Sequence, residues 1–274
     1  MRLTRRQLLA ALPLLSLSWP RGAHAVELEG NFTQGGLVMG QAAPGSRVSL
    51  DGAAIAVSDD GRFLLGFGRD AAAKSLLKTK GPDGKAEIRE LAIAQRGYDV
   101  QRIDGLPQDK VEPDEAALKR IAREQERINA AKDRNTDEPF YLAGFIWPAT
   151  GVISGVYGSQ RILNGEPRRP HFGVDVAAPV GTPIKAPAGG IVSLADPDLF
   201  FTGGTVMLDH GHGLSSIFAH MQSLAVKEGE RLAPGGAVGT LGGTGRATGP
   251  HMHWGMYLFR TPLDPQLLVP AMPA

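Results

Sequence analysis

The sequence predicts a mostly β protein: a small N-terminal β-sandwich, one connecting helix, and a C-terminal domain of antiparallel strands. Three observations lead there. The 274 residues include 36 glycines and 20 prolines, which punctuate a chain into short strands and turns. The apolar runs are brief and bounded by turn dipeptides such as Pro44-Gly45, Asp51-Gly52 and Asp60-Gly61. Helix-favouring, evenly charged sequence is confined to one stretch, Pro113 to Arg134. With 42% hydrophobic and 21% charged residues, the chain can bury a sizeable core and is long enough for two modest domains.

Residues 1–25, "MRLTRRQLLAALPLLSLSWPRGAHA", read as a secretory signal peptide. They have an arginine-bearing start, an apolar run from Leu8 to Trp19, and Ala23-His24-Ala25 as a cleavage site. The apolar run is shorter than the roughly 20 residues a membrane span needs, and Pro13 and two serines break it. Export, with a periplasmic destination, is the expectation. The paired arginines of "TRRQLL" are compatible with either a general or a twin-arginine route. Four of the 29 basic residues lie in this stretch and none of the 28 acidic ones, so the formal charge of +1 becomes about −3 once it is removed. That balance does not invite a polyanion, and nucleic-acid binding is not expected. There is no cysteine, which rules out disulfides, cysteine peptidases and thiolate zinc sites.

Residues 26–108 carry the alternating runs of the sandwich, and no histidine falls between His24 and His171 to seed a catalytic cluster there. Residues 109–138 form the helical linker. Pro113 stands at the helix start, Asp114 and Glu115 lie in the first turn, and Leu118, Ile121 and Ile128 make a narrow apolar stripe on a mostly solvated helix. Residues 139–274 regain glycine and proline and hold six of the seven histidines, so the chemistry is expected there.

"HMHWGMYLF", from His251, is bulky and apolar enough to be a strand. Strand side chains alternate faces, so His251 and His253 share one face with Cα atoms about 6.6 Å apart, while Met252 points into the core. One of the two can ligate a metal while the other stands one step away. "HFGVDVAAP" adds His171 and Asp175. On a straight strand these would lie roughly 13 Å apart, so the backbone must bend, and Pro170 and Gly173 permit it. Two imidazoles and one carboxylate leave a fourth position open, the arrangement of catalytic zinc. His220 ends "GLSSIFAHM", where strand alternation places it on a face with Phe218 and Ser216. It could accept a proton or hydrogen-bond an oxyanion.

Other features carry plainer readings. "GGTGRATGP", Gly242 to Pro250, has the spacing G-x-G-x-x-x-G, with no lysine following and a strand rather than a helix next, so it is expected to be the turn-rich wall of a cleft. His210 and His212 flank a hairpin turn and are expected at the surface. Phe200 and Phe201 fit either loop anchors or cleft lining. No "HExxH" occurs, which argues against the thermolysin-like solution.

The order "HFGVD", "AHM", "GPHMHW" resembles the lysostaphin-type, LytM-like zinc metallopeptidases that cut peptidoglycan peptides, and the resemblance runs from about Phe145 to Leu268. It implies a small antiparallel β fold with a groove leading to one Zn2+. His171, Asp175 and His253 would be its ligands, and His251 and His220 the catalytic histidines beside it. Gly255 stands where many relatives carry glutamate. The implied reaction is metal-assisted amide hydrolysis in peptidoglycan, with a D-Ala to diaminopimelate cross-link as the first choice of bond. The alternatives are a non-hydrolytic activator of cell-wall amidases, a D-Ala-releasing zinc carboxypeptidase, and a purely structural metal protein. No substrate-binding residue and no protein partner can be named, and no stable membrane anchor is expected after signal removal.

Overall fold

Short strands dominate the computed structural model, which describes residues 26–103, 115–163 and 165–273. The signal-peptide reading of residues 1–25 and the helix start at Pro113 lie outside these. No described helix is long and apolar enough to cross a membrane.

Seven strands come first: β1 (Glu27–Gly30), β2 (Leu37–Gln41), β3 (Arg47–Leu50), β4 (Ala53–Ile55), β5 (Arg62–Gly66), β6 (Lys74–Lys80) and β7 (Ala86–Ala92). They form two antiparallel sheets, ordered β1-β2-β5 and β4-β3-β6-β7. In β6, "KSLLKTK", Ser75, Leu77 and Thr79 are buried while the lysines face outward, the period-two pattern of a half-buried strand. Leu77 meets Val38, Val48, Phe63, Leu65 and Leu91 in one core between the sheets. Asp51 and Gly52 both adopt positive φ (50° and 86°), as a two-residue hairpin between Leu50 and Ala53 requires.

β8 (Val100–Ile103) leaves the sandwich, and α1 (Glu115–Lys132) follows. The C-terminal part then contributes β9 (Val152–Gly155), β10 (Gln160–Leu163), β11 (Glu166–Pro167), β12 (Val174–Ala177), β13 (Pro183–Lys185), β14 (Gly190–Leu199), β15 (Gly203–Asp209) and β16 (Leu214–Leu224). It ends with β17 (Arg231–Leu232), β18 (Ala237–Leu241), β19 (His251–Leu258) and β20 (Thr261–Leu263). The main sheet runs β17-β14-β15-β16-β19-β12-β9, with β18 on β16, β13 on β18 and β20 on β19. β8 pairs in parallel with β10, which also carries β11.

Alternation along β19 sends Met252, Trp254, Met256 and Leu258 into the main core and leaves His251, His253, Gly255 and Tyr257 on the opposite face. α1 docks on that second face, where Ala131 and Ile128 pack with Met207, Ile217 and Tyr257. The expected stripe is therefore displaced: Leu118 is 53% exposed, and contact is made at the C-terminal end of the helix, where Lys132 sits 3.4 Å over the Tyr257 ring. The sandwich is not an isolated bead. Its Leu37 and Leu64 join the main core, and Arg96 pairs at 2.8 Å with Asp264, which is buried.

Candidate metal centre and active site

The centre of the sheet brings three donors together. β12 lies between β9 and β19, with Asp175 opposite both His253 and Gly155. His171 lies outside the strand, on the irregular segment before Val174, and the bend swings its ring back onto Asp175. His171 Nε2 is 2.9 Å from Asp175 Oδ1 and 2.9 Å from His253 Nδ1, and His253 Nδ1 is 2.9 Å from the same carboxylate oxygen. Around a tetrahedral ion with bonds of about 2.0–2.1 Å, ligand atoms sit about 3.3 Å apart. The set needs only a few tenths of an ångström of opening to hold such an ion, and two imidazoles with one carboxylate are donors suited to zinc.

Two glycines give these side chains room. A Cβ on Gly155 would fall 2.4 Å from Asp175 Oδ2, and one on Gly173 would fall 2.6 Å from His253 Cε1. Gly173 thus serves close approach of the ring as well as the bend.

The backbone fixes the tautomers. His171 Nδ1–H donates to Val156 O at 3.1 Å, leaving the Nε2 lone pair toward the other donors. His251 Nδ1–H donates to Gly249 O at 2.9 Å, and its Nε2 is 3.9 Å from Asp175 Oδ1. His220 Nδ1–H donates to Thr244 O at 2.8 Å, and its ring centroid is 4.7 Å from that of His251. Two histidines with free Nε2 lone pairs therefore stand beside the donor triad.

His220 reaches this face through a bulge. Val206 pairs with Phe218 and Gly204 with Met221, so Ala219 and His220 together oppose Thr205, and His220 takes a φ of 62°. Regular alternation would put His220 on the core face with Phe218 and Ser216, as expected from sequence. The extra residue and the positive φ turn it to the opposite side. Its N–H is held by Thr202 O at 2.7 Å.

Burial sets the protonation states. For Asp175, burial alone would raise the carboxyl, but the His171 and His253 rings against it outweigh burial and hold the group well below the usual carboxylate range. Burial lowers His253 against the opposing pull of Asp175, and pushes His220 down to about 4 against its bond to Thr244. Neutral imidazole is the form that ligates metals and accepts protons.

The loop Gly242–Pro250 supplies the carbonyls of Thr244 and Gly249 that orient His220 and His251. These backbone acceptors leave no side-chain signal, and sequence reasoning missed them. Phe200 and Phe201 pack edge to face, with Arg120 and Arg246 over their rings. His210 is not a surface residue. It is fully buried, bridges Gly189 O and Ser216 Oγ at 2.6 and 2.7 Å, and is pushed to about 4 by that burial. His212 Nδ1 lies 2.9 Å from the Tyr141 hydroxyl. Neither joins the donor set.

A profile of "Peptidase family M23" matches residues 169–265, the span that contains all five side chains. Among curated relatives, the peptidoglycan DD-endopeptidase ShyC of Vibrio cholerae is 45% identical over 84 residues, 31% of this chain and 19% of its own. The DD-carboxypeptidase/endopeptidase Mpg of Neisseria meningitidis is 36% identical over 97 residues, 35% of this chain and 22% of its own. The chain thus spans only about a fifth of these two relatives. A solved Pseudomonas aeruginosa structure assigned to peptidase M23 is similar over 86% of this chain and 94% of its own, with a TM-score of 0.63 and 30% identity. With that profile over the sheet that carries the five side chains, and 30% identity to this structure across 86% of the chain, this chain belongs to peptidase family M23.

Proposed function

We propose that the protein is an exported zinc-dependent endopeptidase that hydrolyses amide bonds in the stem peptides or cross-links of peptidoglycan. The observation that carries this reading is the meeting of His171, Asp175 and His253 within 2.9 Å of one another, with the free Nε2 atoms of His220 and His251 on the same face. Bound by the three donors, Zn2+ supplies a Lewis acid that polarises a carbonyl and acidifies water. His251, oriented by Gly249 O, offers Nε2 to the proton of the attacking water. His220, oriented by Thr244 O, carries no proton on Nε2 in its neutral form, so it accepts the remaining proton of that water, and the two histidines then hand both protons to the leaving amine as the C–N bond breaks. The N-terminal stretch supports export to the periplasm, and the names of the Vibrio and Neisseria relatives support a peptidoglycan substrate.

The test is mass spectrometry of cross-linked muropeptides digested with the mature chain and Zn2+. Separated stems, with the mass of a cut D-Ala to diaminopimelate bond, are expected. The double activity in the Neisseria relative's name favours one second reading, a carboxypeptidase, which would release free D-Ala instead. No cleavage together with stimulation of a cell-wall amidase would overturn both in favour of an activator.

A further inference from the structure

The loop Val156–Ser159 ties His171 in place with three hydrogen bonds. Gly158 N–H donates to His171 O at 2.8 Å, His171 N–H to Ser159 O at 2.8 Å, and His171 Nδ1–H to Val156 O at 3.1 Å. The far side of the same loop is gripped by the N-terminal sandwich region. Arg69, in the turn between β5 and β6, has a side chain only 12% exposed, and its Nε donates to Gly158 O at 2.7 Å. Its guanidinium lies 4.6 Å over the Tyr98 ring, and that ring closes on Gly158 so tightly that a Cβ there would meet Tyr98 Cδ1 at 2.1 Å. Gly158 therefore receives Arg69 on its carbonyl while its N–H holds His171.

We propose that Arg69 is a positioning residue for the metal centre: through Gly158 the N-terminal sandwich fixes the loop that orients His171, and so sets metal affinity from outside the peptidase sheet. The inference rests on the proposed metal-binding role of His171, but not on which bond is cut. A ligand held by hydrogen bonds to a loop is only as well oriented as the loop, and loss of such outer contacts typically weakens metal binding about 10- to 100-fold. This gives the sandwich, which contributes no donor of its own, a defined part in the chemistry.

The test is competition of full mature chains against a zinc chelator, with melting temperatures of the metal-free proteins and amide exchange at Gly158 and His171 as fold readouts. Arg69→Ala is expected to weaken zinc about 10-fold or more and to speed exchange at both amides. Arg69→Lys keeps the charge but not the Nε donor, and is expected to fall between Ala and wild type. Asn31→Ala removes a different inter-domain bond, from Asn31 Nδ2 to Leu267 O at 2.9 Å, and is expected to leave zinc affinity within about twofold. Wild-type affinity in Arg69→Ala would overturn the proposal. So would an equal loss in Asn31→Ala, which would make the effect one of general docking, or a wild-type chain that binds no zinc. A wild type that binds zinc with this Arg69 dependence but cleaves no muropeptide would overturn the proposed activity alone.

Discussion

Asp175 is the residue on which the donor set closes: both His171 Nε2 and His253 Nδ1 lie 2.9 Å from its Oδ1. Asp175→Asn keeps the shape and removes the anionic donor, so it is expected to weaken zinc by more than about 100-fold in chelator competition. His220→Ala and His251→Ala stand outside that set. Each is expected to retain zinc while kcat on cross-linked muropeptide falls about 10²- to 10⁴-fold; loss of zinc from either would contradict their assignment. The five side chains were legible because histidine is rare in the chain, with seven in all, and chemically distinctive, and because His251 and His253 stand two apart and His171 and Asp175 four apart. What oriented them was not legible. Val156, Thr244 and Gly249 act through carbonyls that any residue would offer, and the turn of His220 depends on a bulge that strand alternation does not announce. His210 failed for the opposite reason: turn-flanking sequence looks solvated, yet the sheet closes over it.

At the scale of elements, α1 shows how a solvated-looking helix docks. Asp114, Glu115 and the charged face made the helix legible, but the contact falls at Lys132, whose long stem buries against Tyr257 while its ammonium lies over the ring. Burial, with the charges of Arg169 and Arg260 nearby, pushes Lys132 down to about 7 from an ordinary 10.5. The unfolded chain keeps the ordinary value and binds the proton more tightly, so this group makes stability rise with pH between about 7 and 10.5 and penalises folding below that window. Lys132→Met is expected to raise the melting temperature at pH 7 and to flatten its pH dependence over that range, as read by thermal denaturation in a pH series. A variant that melts lower at pH 7 with the same pH slope would contradict this.

Over the whole molecule, the sandwich and the peptidase sheet share core and charge. The turn dipeptides and short alternating runs made both β parts legible, but nothing local marked Leu37, Leu64, Arg69 or Arg96 as interface residues, because their partners are distant in sequence: Gly158 lies 89 residues from Arg69 and Asp264 lies 168 from Arg96. Asp264 is a buried carboxylate held by Arg96 at 2.8 Å. Arg96→Ala would leave it without its cation and is expected to destabilise the protein by about 1–3 kcal/mol in denaturant unfolding; no change in midpoint would show that water or another group replaces the arginine. The most direct test of the whole proposal is the metal content of the purified chain by elemental mass spectrometry after exposure to zinc and removal of excess. About one zinc per wild-type chain is expected, and less than about a tenth in Asp175→Ala. A wild-type chain that holds no zinc, or an Asp175→Ala chain that holds as much as wild type, would contradict a centre built from His171, Asp175 and His253.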